Sequence, residues 1–279
     1  MKETGQIEFR EIELTEEYRA AEELQKEAWE FRDRDVVPLN QLRAAKAAGG
    51  VLIGAFEDEQ LVGFVYGFVG LDQGRTVMHS HMLAVKVAYR GKGLGYLLKL
   101  AQRRRTLELG VNEITWTFDP LQSLNAYLNF KKLGVIASRY EVDFYGPSAS
   151  SLHQLGTDRL WVNWELGSQR VNRRVEQTLE PRTSEFRRAE PLVRCLEDRS
   201  PARTSLNPTE QTLITVEIPV GIDRLQEEDM ELARHWREVT REAFIEALNE
   251  GFRVEEFLLP EKKCQSSGTY VLVRNRDLG

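Results

Sequence analysis

An α/β fold is what this sequence predicts, on three observations. Strand-like and helix-like stretches alternate through its first half. Residues 51–56 and 61–71 are two strand-like runs around the polar turn Glu57-Asp58-Glu59-Gln60, the mark of a hairpin. A further strand over residues 76–88 passes directly into a glycine-rich turn and a helix.

Taken in order, residues 7–13 alternate apolar and polar side chains, as an opening strand does. Thr15 then caps a helix reaching about Phe31, with Glu16 and Glu17 in the first turn, where the helix dipole favours them. Residues 40–48 form a second helix that Gly49-Gly50 closes. After the hairpin and strand 76–88 comes the strongest helical pattern, residues 94–109. There Leu94, Leu97, Leu98, Ala101 and Leu107 recur at helical spacing and Gly110 ends the run. Residues 113–118 read as a strand, 121–133 as a helix ending at Gly134, and 135–144 and 159–166 as strands. Residues 167–212 hold four of the nine prolines among interleaved Arg and Glu, and read as a connection with at most short helices. Strand 213–220, helix 227–250 and strands 254–259 and 269–273 make a C-terminal strand-helix-strand-strand extension expected to pack on the first domain. The expected domains are therefore 1–166, 167–212 and 213–279.

The 279 residues carry a formal net charge of -6, so no global positive field draws the chain to nucleic acid or anionic lipid. No apolar run approaches the ~20 residues of a membrane helix. Residues 1–6 have no apolar core of a secretory leader. Cys195 and Cys264 stand far apart, with no neighbouring Cys or His at zinc-ligand spacing. The expectation is a cytoplasmic protein without metal, disulfide framework, membrane or nucleic acid.

The turn Arg90-Gly91-Lys92-Gly93-Leu94-Gly95 has the chemistry of an anion site. Amides at a helix start are unpaired and the macrodipole adds positive charge there. Glycines let the backbone close around a pyrophosphate, and Arg90 and Lys92 add charge. The spacing is neither that of a nucleotide P-loop nor that of a dinucleotide fingerprint opening a first βαβ unit.

Leu83-Ala84-Val85-Lys86-Val87-Ala88-Tyr89, read on into that turn, resembles the signature of the GNAT superfamily of N-acetyltransferases. The order of elements from residue 7 to residue 145 resembles it too. The resemblance implies a mixed, mostly antiparallel central sheet flanked by helices, with acetyl-CoA or coenzyme A as cosubstrate. It implies that Leu83, Val85 and Val87 lie along the cofactor, Val85 and Val87 pairing with its pantetheine arm through their peptide groups. Arg90, Gly91, Lys92, Gly93, Leu94 and Gly95 would then hold the pyrophosphate, with Asn125 added from the later helix. The acceptor would be an amine on a small molecule or peptide. The reading leaves a homodimer open.

Acyl transfer to an amine needs a base for the ammonium proton and relief for the leaving thiolate. The resemblance implies an acidic Tyr where this chain has Phe130, which has no proton to give. Either another group serves as acid, Tyr127 one turn from the expected face or Tyr140 or Tyr145, or the thiolate leaves unassisted. For the base, His79 and His81 stand two apart on strand 76–88 and are expected to share a face with Leu83 and Val85. Hydrogen-bonded structural histidines are the other reading of the pair. Asp119 is expected to cap the next helix, Arg103-Arg104-Arg105 to be a solvated face, and Trp161 and Trp164 to be strand core. Two functions stay open: an N-acyltransferase, or a non-catalytic acyl-CoA-binding sensor or scaffold that has lost its acid.

Overall fold

The hairpin signal becomes the middle of a meander in the computed structural model, which describes residues 6–146, 154–176, 186, 188–260 and 266–274. Strands β2 (Val51–Glu57) and β3 (Gln60–Asp72) pair antiparallel, and β4 (Arg75–Val85) continues antiparallel on β3. β1 (Ile7–Glu11) borders β2 antiparallel, and β5 (Glu113–Phe118) lies parallel to β4, giving the order β1-β2-β3-β4-β5. The runs in β2 and β3 are apolar on both faces because helices cover both. Helices α1 (Thr15–Trp29) and α2 (Leu39–Ala47) share one core with Leu52, Phe56, Phe64, Tyr66, Met82 and Ala84. Helix α3 (Leu94–Glu108) packs against β2, β3 and β4. Thr15 proves to be the first helical residue of α1, not its cap. Leu14 holds the cap position, and the Glu17 carboxylate accepts the Glu13 and Leu14 amides at 2.8 and 3.1 Å.

Contacts divide the chain within β5. The first unit comprises the residues up to Trp116 together with Glu165–Gly167, and the second takes in the rest. In the second unit the strand order is β7-β6-β11-β12-β10-β8-β9. These are β6 (Ile136–Glu141), β7 (Arg159–Glu165), β8 (Glu190–Cys195), β9 (Pro201–Arg203), β10 (Leu213–Pro219), β11 (Arg253–Leu258) and β12 (Ser267–Val273).

Three elements depart from the sequence reading. The stretch expected as a connection carries α5 (Gln169–Val175) and the two strands β8 and β9. Pro191 is second in β8 and Pro201 opens the edge strand β9, positions where a missing N–H is tolerated. The helix expected over 227–250 is two, α6 (Ile222–Glu228) and α7 (Met230–Asn249). Asp229 stands between them and its carboxylate accepts the Leu232 amide at 3.0 Å. The helix expected over 121–133 is a short α4 (Ser123–Ala126) running into a π-helical stretch, Tyr127–Leu133, that Gly134 ends at φ 75°. Among the described residues no helix is long and apolar enough to cross a membrane.

Candidate functional site

Strand β4 stops at Val85, three residues short of the expected end, and a single 3₁₀ turn (Val87–Tyr89) follows. Val87 is therefore off the strand and 62% exposed, and its carbonyl accepts the Arg90 amide at 3.1 Å. The strand expected to run to residue 88 therefore ends before Val87. The Val85 carbonyl accepts from Arg90 Nε at 3.1 Å, which folds the guanidinium back over the strand end. Gly91 and Gly93 have φ of 77° and 80°, the left-handed region that side chains resist. A Cβ at either would meet nothing within 4 Å, so the backbone requires these glycines while the space above them is open. Gly93 caps α3 without a side chain, and the first amide to bond back is that of Leu97, to the Gly93 carbonyl at 3.1 Å. The amides of Leu94, Gly95 and Tyr96 have no acceptor among the described residues. They point outward at the positive end of the helix dipole, beside the exposed Arg90 and Lys92.

Behind this turn the register of β4 slips. Val85 faces Gly63, Leu83 faces Val65 and Met82 faces Tyr66, but Ser80 faces Gly67, so His81 is an extra residue, a bulge. Leu83 and Val85 lean toward α3: Leu83 Cδ2 is 3.5 Å from the Cβ position of Gly95, and Val85 and Leu98 meet over Gly63. The histidines lie on the other face. His79 is 5.3 Å from the Phe68 ring, and His81 is 6.2 Å from Tyr66 and 5.9 Å from Phe68, rings that pack with α1 and α2. The expected common face with Leu83 and Val85 is thus wrong, because one inserted residue inverts a period of two. The two imidazoles are 6.4 Å apart, and His79 Nδ1 is 3.1 Å from Thr115 Oγ1. Burial pushes the His81 pKa down, so its ring is neutral near neutral pH and able to take a proton. β4 pairs with β5 only through Met78–Ile114 and His79–Thr115, so its edge from Ser80 to Val85 has no β5 partner.

On the α3 side of the bulge lies a polar group the sequence reading missed. Lys99 is 4% exposed, and its Nζ is 2.8 Å from Ser80 Oγ and 3.6 Å from the Trp116 ring centre. Burial lowers its pKa well below the usual lysine range. The Trp116 face attracts an ammonium by ~2 kcal/mol at most, whereas desolvating the ion costs several. Burial therefore favours the neutral amine more than a lysine in water does. The available signal was Lys99 and Gln102, three apart beside the apolar Leu98 and Ala101, but long polar side chains there usually snorkel out.

The remaining candidates belong to the second unit. Asn125 is exposed on α4, and Tyr127 is half-buried with Lys132 Nζ 5.8 Å from its ring. Phe130 is a core residue: 0% exposed, edge-on to Tyr270 at 5.7 Å and 86°, and 6.2 Å from Phe118. Tyr140 donates to Asp158 at 2.6 Å and stacks on Phe244, so its hydroxyl is committed, and burial drives its pKa far up. Tyr145 is exposed. Asp119 is not the expected cap, a position that Gln122 holds; it accepts the Leu121 amide at 2.9 Å in the turn ahead of α4, and both its oxygens also accept from Arg237 Nη2 at 2.7 Å. Trp164 is core and donates to the Leu133 carbonyl at 2.8 Å, while Trp161 lies under Arg139 at 3.8 Å. In the first unit, the arginine run is only partly a solvated face. Arg103 donates to the Leu166 carbonyl at 2.6 Å, Arg105 pairs with Glu11 at 2.8 Å, and Arg104 alone is exposed.

The packing of Phe130 gives a direct test. Phe130→Tyr places a hydroxyl among Phe118 and Tyr270, and an unpaired buried hydroxyl costs about 1–3 kcal/mol. The expected outcome is a lower urea midpoint without a gain in acyl transfer. A variant that is equally stable and faster would mean that the position faces a reacting group.

Residues 9–134 match the model of the Acetyltransferase (GNAT) family. That stretch of the chain is similar to a GNAT domain. Its fold is similar to that of the ribosomal-protein-S18-alanine N-acetyltransferase from Escherichia coli, with 15% identity and a TM-score of 0.48 over 58% of this chain and 96% of that one. It is also similar to yncA from Salmonella typhimurium, solved with its cofactor acetyl-CoA. There the identity is 17% and the TM-score 0.48, over 59% of this chain and 96% of that one. No curated protein matches the sequence. The GNAT match takes in the glycine turn, both histidines, Asn125, Tyr127 and Phe130.

Proposed function

We propose that the GNAT domain transfers an acetyl group from acetyl-CoA to an amine on a small molecule or peptide, and that this domain runs on to about residue 166. The observation that carries the reading is the turn at α3, where Gly91 and Gly93 hold left-handed conformations and three amides lie free. They suit a pyrophosphate, with Arg90 and Lys92 neutralising its charge. The β4 edge left without a β5 partner suits the pantetheine arm, along Leu83 and Val85.

In the step itself the amine nitrogen attacks the thioester carbonyl, the C–S bond breaks and the thiolate leaves. The ammonium proton goes first to a base, and His81, neutral and set on the bulge, is the residue we assign, with His79 beside it. Phe130 does not donate. A thiol with a pKa near ~8.5 is a fair leaving group unprotonated, and Tyr127 is the remaining candidate donor.

A panel of amines with acetyl-CoA, read by release of free thiol, tests this. Because the His81 pKa is lowered, kcat/KM should fall only on the acid side, below the ordinary histidine range, and be flat through neutrality. His81→Gln should lower kcat by about 10²-fold and remove that acid limb. An unchanged profile in the variant removes His81 as the base. Coenzyme A binding with no thiol release from any amine would favour the sensor reading instead.

A further inference from the structure

We infer that Lys99 is a positioning residue for His81, holding through Ser80 the bulge that sets both histidines on the face away from α3. The inference rests on the proposed role of His81. Four polar or glycine positions converge at that one irregular point of β4. Lys99 Nζ lies 2.8 Å from Ser80 Oγ and 3.4 Å from Gln102 Oε1, and Ser80 Oγ donates to Gln102 Oε1 at 2.9 Å. Ser80 is the residue next to the bulge and pairs with Gly67. A Cβ on Gly67 would come within 2.9 Å of Gln102 Nε2 and 3.0 Å of the His79 carbonyl, so glycine there makes room for the cluster.

The chemistry of the cluster is costly for a merely structural filler. Gln102 Nε2 is buried without a partner, and Lys99 is buried with no carboxylate beside it among the described residues. A methionine would fill the same volume without that cost. What the amine adds is a directed hydrogen bond from the second turn of α3, the helix that begins at the glycine turn, to the residue that precedes His81. The titratable groups on the packed elements are otherwise engaged. Glu113 of β5 pairs with Arg75 at 3.1 Å, Arg103 of α3 holds the Leu166 carbonyl at 2.6 Å, and His79 and His81 lie on the opposite face of β4. Tyr96 of α3 is half-buried, with its pKa raised by burial.

Lys99→Met in the full chain separates positioning from packing. Because burial lowers the pKa of this lysine in the fold relative to the unfolded chain, wild-type stability falls as pH drops from the free-lysine range toward the lowered value. The variant should lose that slope and keep or raise its urea midpoint at neutral pH. Its His81 imidazole, followed by NMR titration, should move up toward the ordinary histidine value as the loosened bulge admits water. Its kcat should drop roughly tenfold or more, with coenzyme A affinity unchanged, and Ser80→Ala should behave alike and add nothing in the double variant. A stable Lys99→Met protein with the wild-type His81 titration overturns the inference. That titration is decisive even where wild type itself transfers no acetyl group, a result that would instead defeat the proposed function.

Discussion

Gly93→Glu is expected to reduce coenzyme A affinity at least ~100-fold, the equivalent of about 2.7 kcal/mol. Two penalties add. Gly93 sits at φ 80°, where a residue with a Cβ costs roughly 1–2 kcal/mol, and that strain acts on the cap of α3 and the amides it presents. The new carboxylate then stands in the open space above the turn, where we place the pyrophosphate, and like charges at such range repel strongly. Gly93→Ala bears the first penalty alone and should lose less. Calorimetric titration of the three proteins gives the order wild type, Ala, Glu. Equal affinity in the Glu variant would move the cofactor away from this turn.

Asp119→Ala is expected to destabilise the second unit strongly. Burial works against the Arg237 cation, which is 3% exposed, and Asp119 more than restores it by attraction and two hydrogen bonds at 2.7 Å. Removing the carboxylate leaves a buried guanidinium whose Nη1 already has no partner. Breaking a buried pair from one side typically costs about 3–5 kcal/mol. The same substitution removes the acceptor for the Leu121 amide ahead of α4. A urea midpoint within error of wild type would show that Arg237 finds another acceptor. Arg237→Met, which removes the charge as well, should be milder than Asp119→Ala.

What the sequence showed and what it hid divide along physical lines. The glycine turn was legible because its chemistry is local: positive φ at Gly91 and Gly93 is a property of single residues, and the 3.6 period of α3 begins at once after it. The meander was legible for the same reason. The bulge at His81 was not, since an inserted residue leaves no local mark and shows only in the pairing of Tyr66 with Met82 and Gly67 with Ser80. The misplaced face of the two histidines followed from it. Phe130 was legible as a departure from a family pattern but not as a core ring, because Phe118 and Tyr270 reach it from 12 residues before and 140 after. Strands β8 and β9 were masked by Pro191 and Pro201, read as loop signals although strand starts and edges accept proline. The break at Asp229 was not read, because one polar residue inside a helical run carries no mark of the cap bond to the Leu232 amide that the structure shows.

The central claim is that the start of α3 holds the cofactor's pyrophosphate. Titration of coenzyme A into the protein, followed on the backbone amide resonances, addresses it most directly. The account predicts that the amides of Gly91, Lys92, Gly93, Leu94, Gly95 and Tyr96 shift together, saturate with one affinity, and shift less with pantetheine, which lacks the pyrophosphate. Saturable binding that leaves these six amides unmoved would contradict it.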